Sequence, residues 1–135
     1  MKIVKVINMM LNHVALTCSS EKKCDLFYKE VLGLDKVRSF MVPPDLVKNL
    51  FGLDDECKVM VYGNDRLKLE IFLAEGKKIQ KRFDHVCLEV KDKKALIKRC
   101  AKIDVEMVEL PKGKNDIYLF IKDFDGNLFE VKEKI

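Results

Sequence analysis

No apolar run among these 135 residues approaches the roughly 20 that a membrane-crossing helix requires, so no such helix is expected. The first residues begin basic and turn apolar, as a secretion leader does. Lys5, Asn8, Asn12 and His13 interrupt the run, however, and no small-residue cleavage site follows, so the segment reads as a strand of the mature protein. No C-x-x-C pair occurs either. The five cysteines (Cys18, Cys24, Cys57, Cys87, Cys100) are odd in number and scattered, which excludes zinc-ribbon and thioredoxin-like signatures. Their pattern points to reduced thiols and a cytoplasmic protein. Cys24, Cys87 and Cys100 fall at apolar-periodic positions, where packing is the expected role.

Charge of one sign is also scarce. The net +4 arises from lysines interleaved with acids, and the local gathering at Lys77, Lys78, Lys81 and Arg82 reads as a solvated linker. With no recognition helix and no aromatic–basic stacking motif, nucleic acid is not an expected partner. An anionic small molecule is compatible with the charge. The mixture of apolar and charged residues is that of a folded globule.

Histidine occurs only twice, and both times in the same setting. Leu11-Asn12-His13-Val14-Ala15-Leu16 and Phe83-Asp84-His85-Val86-Cys87-Leu88 each run apolar, Asn or Asp, His-Val, small, Leu. A helical pattern follows each. Over Glu21 to Leu32 the stripe is Cys24, Phe27, Tyr28 and Val31, with Ser20 as cap and Gly33 as left-handed stop. Over Lys93 to Lys102 it is Leu96, Cys100 and Ile103, with Asp92 as cap. Strand-like runs come next: 36–42, 58–62 and 66–73 in the first half, 106–110, 118–122 and 128–132 in the second. The last two strands of each half form a hairpin, turning at Gly63-Asn64-Asp65 and Asp125-Gly126-Asn127. Each half therefore reads strand–helix–strand–strand–strand.

The expected class is α+β: two tandem βαβββ modules forming a curved mixed sheet with helices on its outer face. Module one spans about 9–74, the linker about 75–82 and module two about 83–135. The histidines are 72 residues apart and the module-ending glutamates, Glu70 and Glu130, 60 apart. The surplus falls at Pro43-Pro44-Asp45, which opens a short helix with Leu46, Val47, Leu50 and Phe51 on its apolar face and Gly52 at its end. Such an insertion is placed to cover or line one site.

Strand alternation puts Val86, Leu88 and Val90 under the helix and turns His85 and Cys87 to the other face. By the same rule Glu130 separates from Phe129 and Val131, and Glu70 with Phe72 separates from Leu67, Leu69, Ile71 and Leu73. A lone strand histidine or glutamate is ordinarily a packed or solvent-facing residue. Here both histidines and both glutamates occupy repeat-equivalent positions, which points to a shared divalent cation held by His13, Glu70, His85 and Glu130.

These motifs, with Phe27-Tyr28, Leu32-Gly33-Leu34 and Asp123-Phe124-Asp125-Gly126-Asn127-Leu128-Phe129-Glu130-Val131, resemble the glyoxalase/bleomycin-resistance/extradiol-dioxygenase family, the vicinal oxygen chelate group, along essentially the whole chain. Phe124 stands where that family usually has Pro, a departure in turn chemistry only. The resemblance places the family's metal positions on His13, Glu70, His85 and Glu130, and implies a homodimer. A His₂Glu₂ set leaves one or two positions open on Zn²⁺, Ni²⁺, Co²⁺, Mn²⁺ or Fe²⁺. It suits a glyoxalase-like lyase, isomerase or epimerase that moves a proton beside a metal-bound carbonyl, on a substrate such as an anionic thioester or hemithioacetal. Glu130 is the first candidate for the base and Glu70 the second. The resemblance leaves three alternatives: an Fe(II) extradiol dioxygenase, against which Glu70 counts as a fourth ligand; a non-enzymatic drug-binding protein; and a thiol-transferring resistance enzyme, for which no extra cation-binding loop is evident.

Overall fold

The structure, a computed structural model, describes residues 11–51, 54–75 and 85–133. The strand expected before residue 11, most of the linker, Gly52 and Asp84 lie outside the described residues.

The first half supplies β1 (Val14–Cys18), α1 (Glu21–Cys24), β2 (Asp35–Val42), α2 (Pro44–Phe51), β3 (Cys57–Gly63) and β4 (Lys68–Leu73). The second supplies β5 (His85–Val90), α3 (Lys93–Ile103), β6 (Met107–Lys112), β7 (Asp116–Lys122) and β8 (Leu128–Glu133). Each half forms its own four-stranded sheet, ordered β1-β4-β3-β2 and β5-β8-β7-β6. The first strand lies parallel to the last and the rest are antiparallel. Two α+β modules of identical topology are therefore present, as the repeat implied. Pro111 is tolerated in β6 because that strand is a sheet edge and needs no inward amide there.

The expected caps form. Ser20 accepts from the Lys23 amide at 3.3 Å and Asp92 from the Ala95 amide at 3.0 Å; each such cap is worth about 1 kcal/mol. Gly33 takes φ +70°, a conformation open to it because it lacks a Cβ. After Cys24 the first helix widens into a π-helical stretch, Asp25–Val31, which the apolar spacing does not distinguish from α. Its Phe27, Tyr28 and Val31 are buried all the same.

That helix joins the two modules. Tyr28 stacks on Tyr62 of β3, with ring centroids 5.2 Å apart, and Phe27 meets Phe129 of β8 at 5.6 Å. Leu69 and Ile71 from one sheet, Leu119, Ile121, Phe129 and Val131 from the other, and Leu96 and Cys100 of α3 complete a single core. Polar ties reinforce it: Tyr28 Oη donates to Asp123 Oδ2 at 2.8 Å and Asn127 Nδ2 donates to the Thr17 carbonyl at 2.9 Å. Asp123 is buried, yet Tyr28, the Asn127 side chain and the amides of Asp125 and Asn127 all donate to it. A buried carboxylate so surrounded bears a tolerable desolvation cost.

Two packing expectations need correction. Cys87 is exposed, because it shares the outward face with His85, whereas Cys24 and Cys100 are buried. On α2, Val47 is buried but Leu46 is exposed.

Candidate metal centre

Because the helices occupy one face of each sheet, every second strand residue is directed to the other face. His13, just before β1, and Glu70 of β4 meet there, with Nε2 and Oε2 2.8 Å apart. In the second module His85 Nε2 lies 3.9 Å from Glu130 Oε2. The registers match residue for residue. Glu70 sits opposite Ala15 and Glu130 opposite Cys87, in each case two residues past the histidine.

Two cis ligands on an ion with bonds near 2.1 Å stand roughly 3.0–3.4 Å apart, so the two observed separations bracket what a cation asks for. His13 is oriented for the task. Its Nδ1 lies 2.7 Å from Asn12 Oδ1, a contact that holds the ring with Nε2 turned towards Glu70. The donor set thus fits a divalent metal as two half-sites. Within one chain the half-sites stay separate: among the described residues, no three of the four approach within 4.8 Å of one another.

The surroundings of the two pairs differ. Val61 faces Glu70 across the β3–β4 ladder and Val59 faces Phe72, so both valines share the Glu70 face. Both are buried nonetheless, at 1% and 0% exposure, and with Val47 of the inserted α2 they stand outside the main core. The second module has no such insertion. Phe120 faces Glu130, and beside it Tyr118 and Leu110 remain 41% and 50% exposed. Arg38 lies across β3 from Glu70, its guanidinium 5.0 Å from the Phe40 ring. Neither Arg38 nor Tyr118 stands out in the sequence, because no internal counterpart marks them. Cys87, beside Glu130, has its thiol pushed upward by burial and by that carboxylate's charge.

Residues 10–131 match the model of the glyoxalase/bleomycin resistance protein/dioxygenase superfamily. The chain belongs to that superfamily. Comparison with curated proteins gives no match. Among solved structures, this superfamily member is similar to the fosfomycin resistance protein FosX of Listeria monocytogenes, with 17% identity, 96% of each chain covered and a TM-score of 0.71. It is also similar to a glyoxalase family protein of Enterococcus faecalis, with 18% identity, 90% of this chain and 95% of that one covered, and a TM-score of 0.69. A variant of the Listeria protein, solved with Mn(II) and 1S,2S-dihydroxypropylphosphonic acid, has 20% identity over 93% of this chain and 90% of that one, with a TM-score of 0.68. At these identities the likeness establishes the fold. Among the described residues no helix is long and apolar enough to cross a membrane.

Proposed function

We propose that this protein is a divalent-metal-dependent enzyme of the glyoxalase-like kind, with centres shared between two copies of the chain. His13 and Glu70 of one copy would combine with His85 and Glu130 of another. The observation that carries the reading is the identical register of the two His–Glu pairs on faces directed away from the common core. Each chain offers one half-site of each kind, so a closed two-fold dimer holds two complete centres. The apolar Leu110, Tyr118 and Val108, exposed beside the second pair, suit a face that a partner and a substrate cover.

Bound there, Zn²⁺, Ni²⁺, Co²⁺, Mn²⁺ or Fe²⁺ supplies Lewis acidity to two neighbouring substrate oxygens. Glu130 is the proposed base, taking the proton from carbon beside the carbonyl and returning it. Its wider 3.9 Å separation from His85 leaves its carboxylate freer to move than Glu70, held at 2.8 Å from His13. Arg38 and Lys132, exposed on the two His–Glu faces, favour an anionic substrate such as a thioester or hemithioacetal conjugate. The likeness to FosX structures supports a second reading, modification of fosfomycin itself.

Metal content of protein purified without chelator, followed by parallel assays in deuterated water, separates these readings. Deuterium entering a 2-oxo thioester or hemithioacetal product supports the first, and loss of fosfomycin alone supports the second. Metal-free protein that binds a drug stoichiometrically and turns nothing over removes both. Aerobic cleavage of a catechol with Fe²⁺ would instead establish a dioxygenase.

A further inference from the structure

Away from the His–Glu pairs, two thiols and a carboxylate meet where the modules join. Cys18 closes β1, Cys24 closes α1 and Asp125 lies in the turn between β7 and β8; one ligand atom from each lies within 4.8 Å of the others. Both sulfurs are buried, Cys18 at 0% and Cys24 at 2% exposure, and Asp125 is half-buried at the rim. Ser19 Oγ donates to Asp125 Oδ1. Asp123, close by, has both oxygens committed to four donors and is a structural anion rather than a ligand. Among the described residues no lysine or arginine forms an ion pair with either aspartate. Among the described residues, two sulfurs thus lie beside carboxylates with which no lysine or arginine pairs.

We propose that Cys18, Cys24 and Asp125 form a second cation site, selective for a thiophilic divalent ion such as Zn²⁺ or Cd²⁺, that clasps the first module to the β7–β8 turn of the second. Tetrahedral coordination with metal–sulfur bonds near 2.3 Å sets two sulfurs about 3.8 Å apart, a spacing that ligand atoms already within 4.8 Å reach by small rotations. On binding, each thiol releases its proton to solvent and both sulfurs bond the metal as thiolates, with water or the Ser19 hydroxyl filling the fourth position. The carboxylates of Asp123 and Asp125 beside the two sulfurs favour a cation there. The site is chemically distinct from the His–Glu pairs, since thiolates select softer ions. Because the ion binds only when both modules are docked, it stabilises the fold by mass action.

The test is a Cd²⁺ titration of reduced full-length protein carrying His13→Ala and His85→Ala, so that the His–Glu pairs contribute nothing. The expected result is about one equivalent bound, with thiolate-to-cadmium charge-transfer absorption, release of about two protons per ion and a raised Tm. Adding Cys87→Ser should leave all of this intact. Cys24→Ser should abolish the absorption, and Asp125→Asn, at the rim where the fold is least at risk, should weaken affinity about 10–100-fold. An absorption band that survives Cys24→Ser with unchanged affinity would overturn the proposal. So would an unaltered affinity in Asp125→Asn, or protein isolated with a Cys18–Cys24 disulfide that takes up no Cd²⁺ once reduced.

Discussion

The two modules place a histidine and a glutamate in the same register and then surround them differently. In the first, the pair is close, Asn12 orients the imidazole, and Val59 and Val61 on the same face are buried. In the second, the pair is wider and an apolar strip of Val108, Leu110 and Tyr118 stays exposed beside it. Module one also carries the inserted segment that forms α2, which has no counterpart in module two. A duplicated scaffold has thus kept its two His–Glu pairs symmetric while their surroundings diverged. On the proposed reading, the first pair would hold the metal more firmly and the second would face substrate and partner.

The largest effect should come from pitting the two glutamates against each other. Glu130→Gln should lower proton exchange by about 10²–10⁴-fold while metal content is largely kept. Glu70→Gln should mainly lower metal affinity, by about 10–100-fold. Equal kinetic losses in the two variants, measured at saturating metal, would erase the functional asymmetry.

The next contrast lies across the thickness of one sheet. Phe129→Ala should cost about 3–5 kcal/mol in denaturant unfolding, because that ring packs against Phe27 and Tyr28 in the shared core. Tyr118→Ala, on the exposed face, should change stability by less than about 0.5 kcal/mol yet weaken substrate binding. A stability loss at Tyr118 as large as that at Phe129 would mean that the face is already covered, by a partner copy if the loss depends on protein concentration and within one chain if it does not.

A smaller effect concerns the polar tie between modules. Burial, together with the Asp123 carboxylate that accepts its hydrogen bond, raises the Tyr28 phenol well above its ordinary range. The folded state therefore favours the protonated phenol. Its contribution to stability is complete below the unfolded value of about 10 and drains away as pH rises from there towards the folded value. Tyr28→Phe should cost about 1–3 kcal/mol at neutral pH, since Asp123 loses a buried donor, and should flatten that part of the alkaline decline. An unchanged alkaline slope in Tyr28→Phe would assign the decline to other groups.

The topology was legible because each element carried a local physical signature. Ser20 and Asp92 announced helix starts, Gly33 a stop, Asn64 and Gly126 the hairpin turns, and alternation fixed which face His85, Glu70 and Glu130 would take. The π-helical widening at Asp25 was not legible, since buried side chains spaced by three and four satisfy both windings. Nor was the burial of Val59 and Val61, which depends on what covers their face rather than on β3 itself. The Cys18–Cys24–Asp125 grouping was hidden for a related reason: Cys24 and Asp125 are 101 positions apart, and only module docking brings them together. The proximity of each histidine to its glutamate was readable from the repeat. On the proposed reading the pairs combine across two chains, and no pattern within one sequence states that.

Complementation between two inactive variants probes that combination directly. His13→Ala and His85→Ala protein, each unable to build a centre alone, are mixed, unfolded and refolded together, and then assayed for metal and turnover. If each centre draws one half-site from each chain, the mixed dimer regains one intact centre of its two, and random pairing restores about a quarter of wild-type activity. If the mixture is no more active than its components while mass measurement shows that mixed dimers have formed, the shared-centre account is wrong.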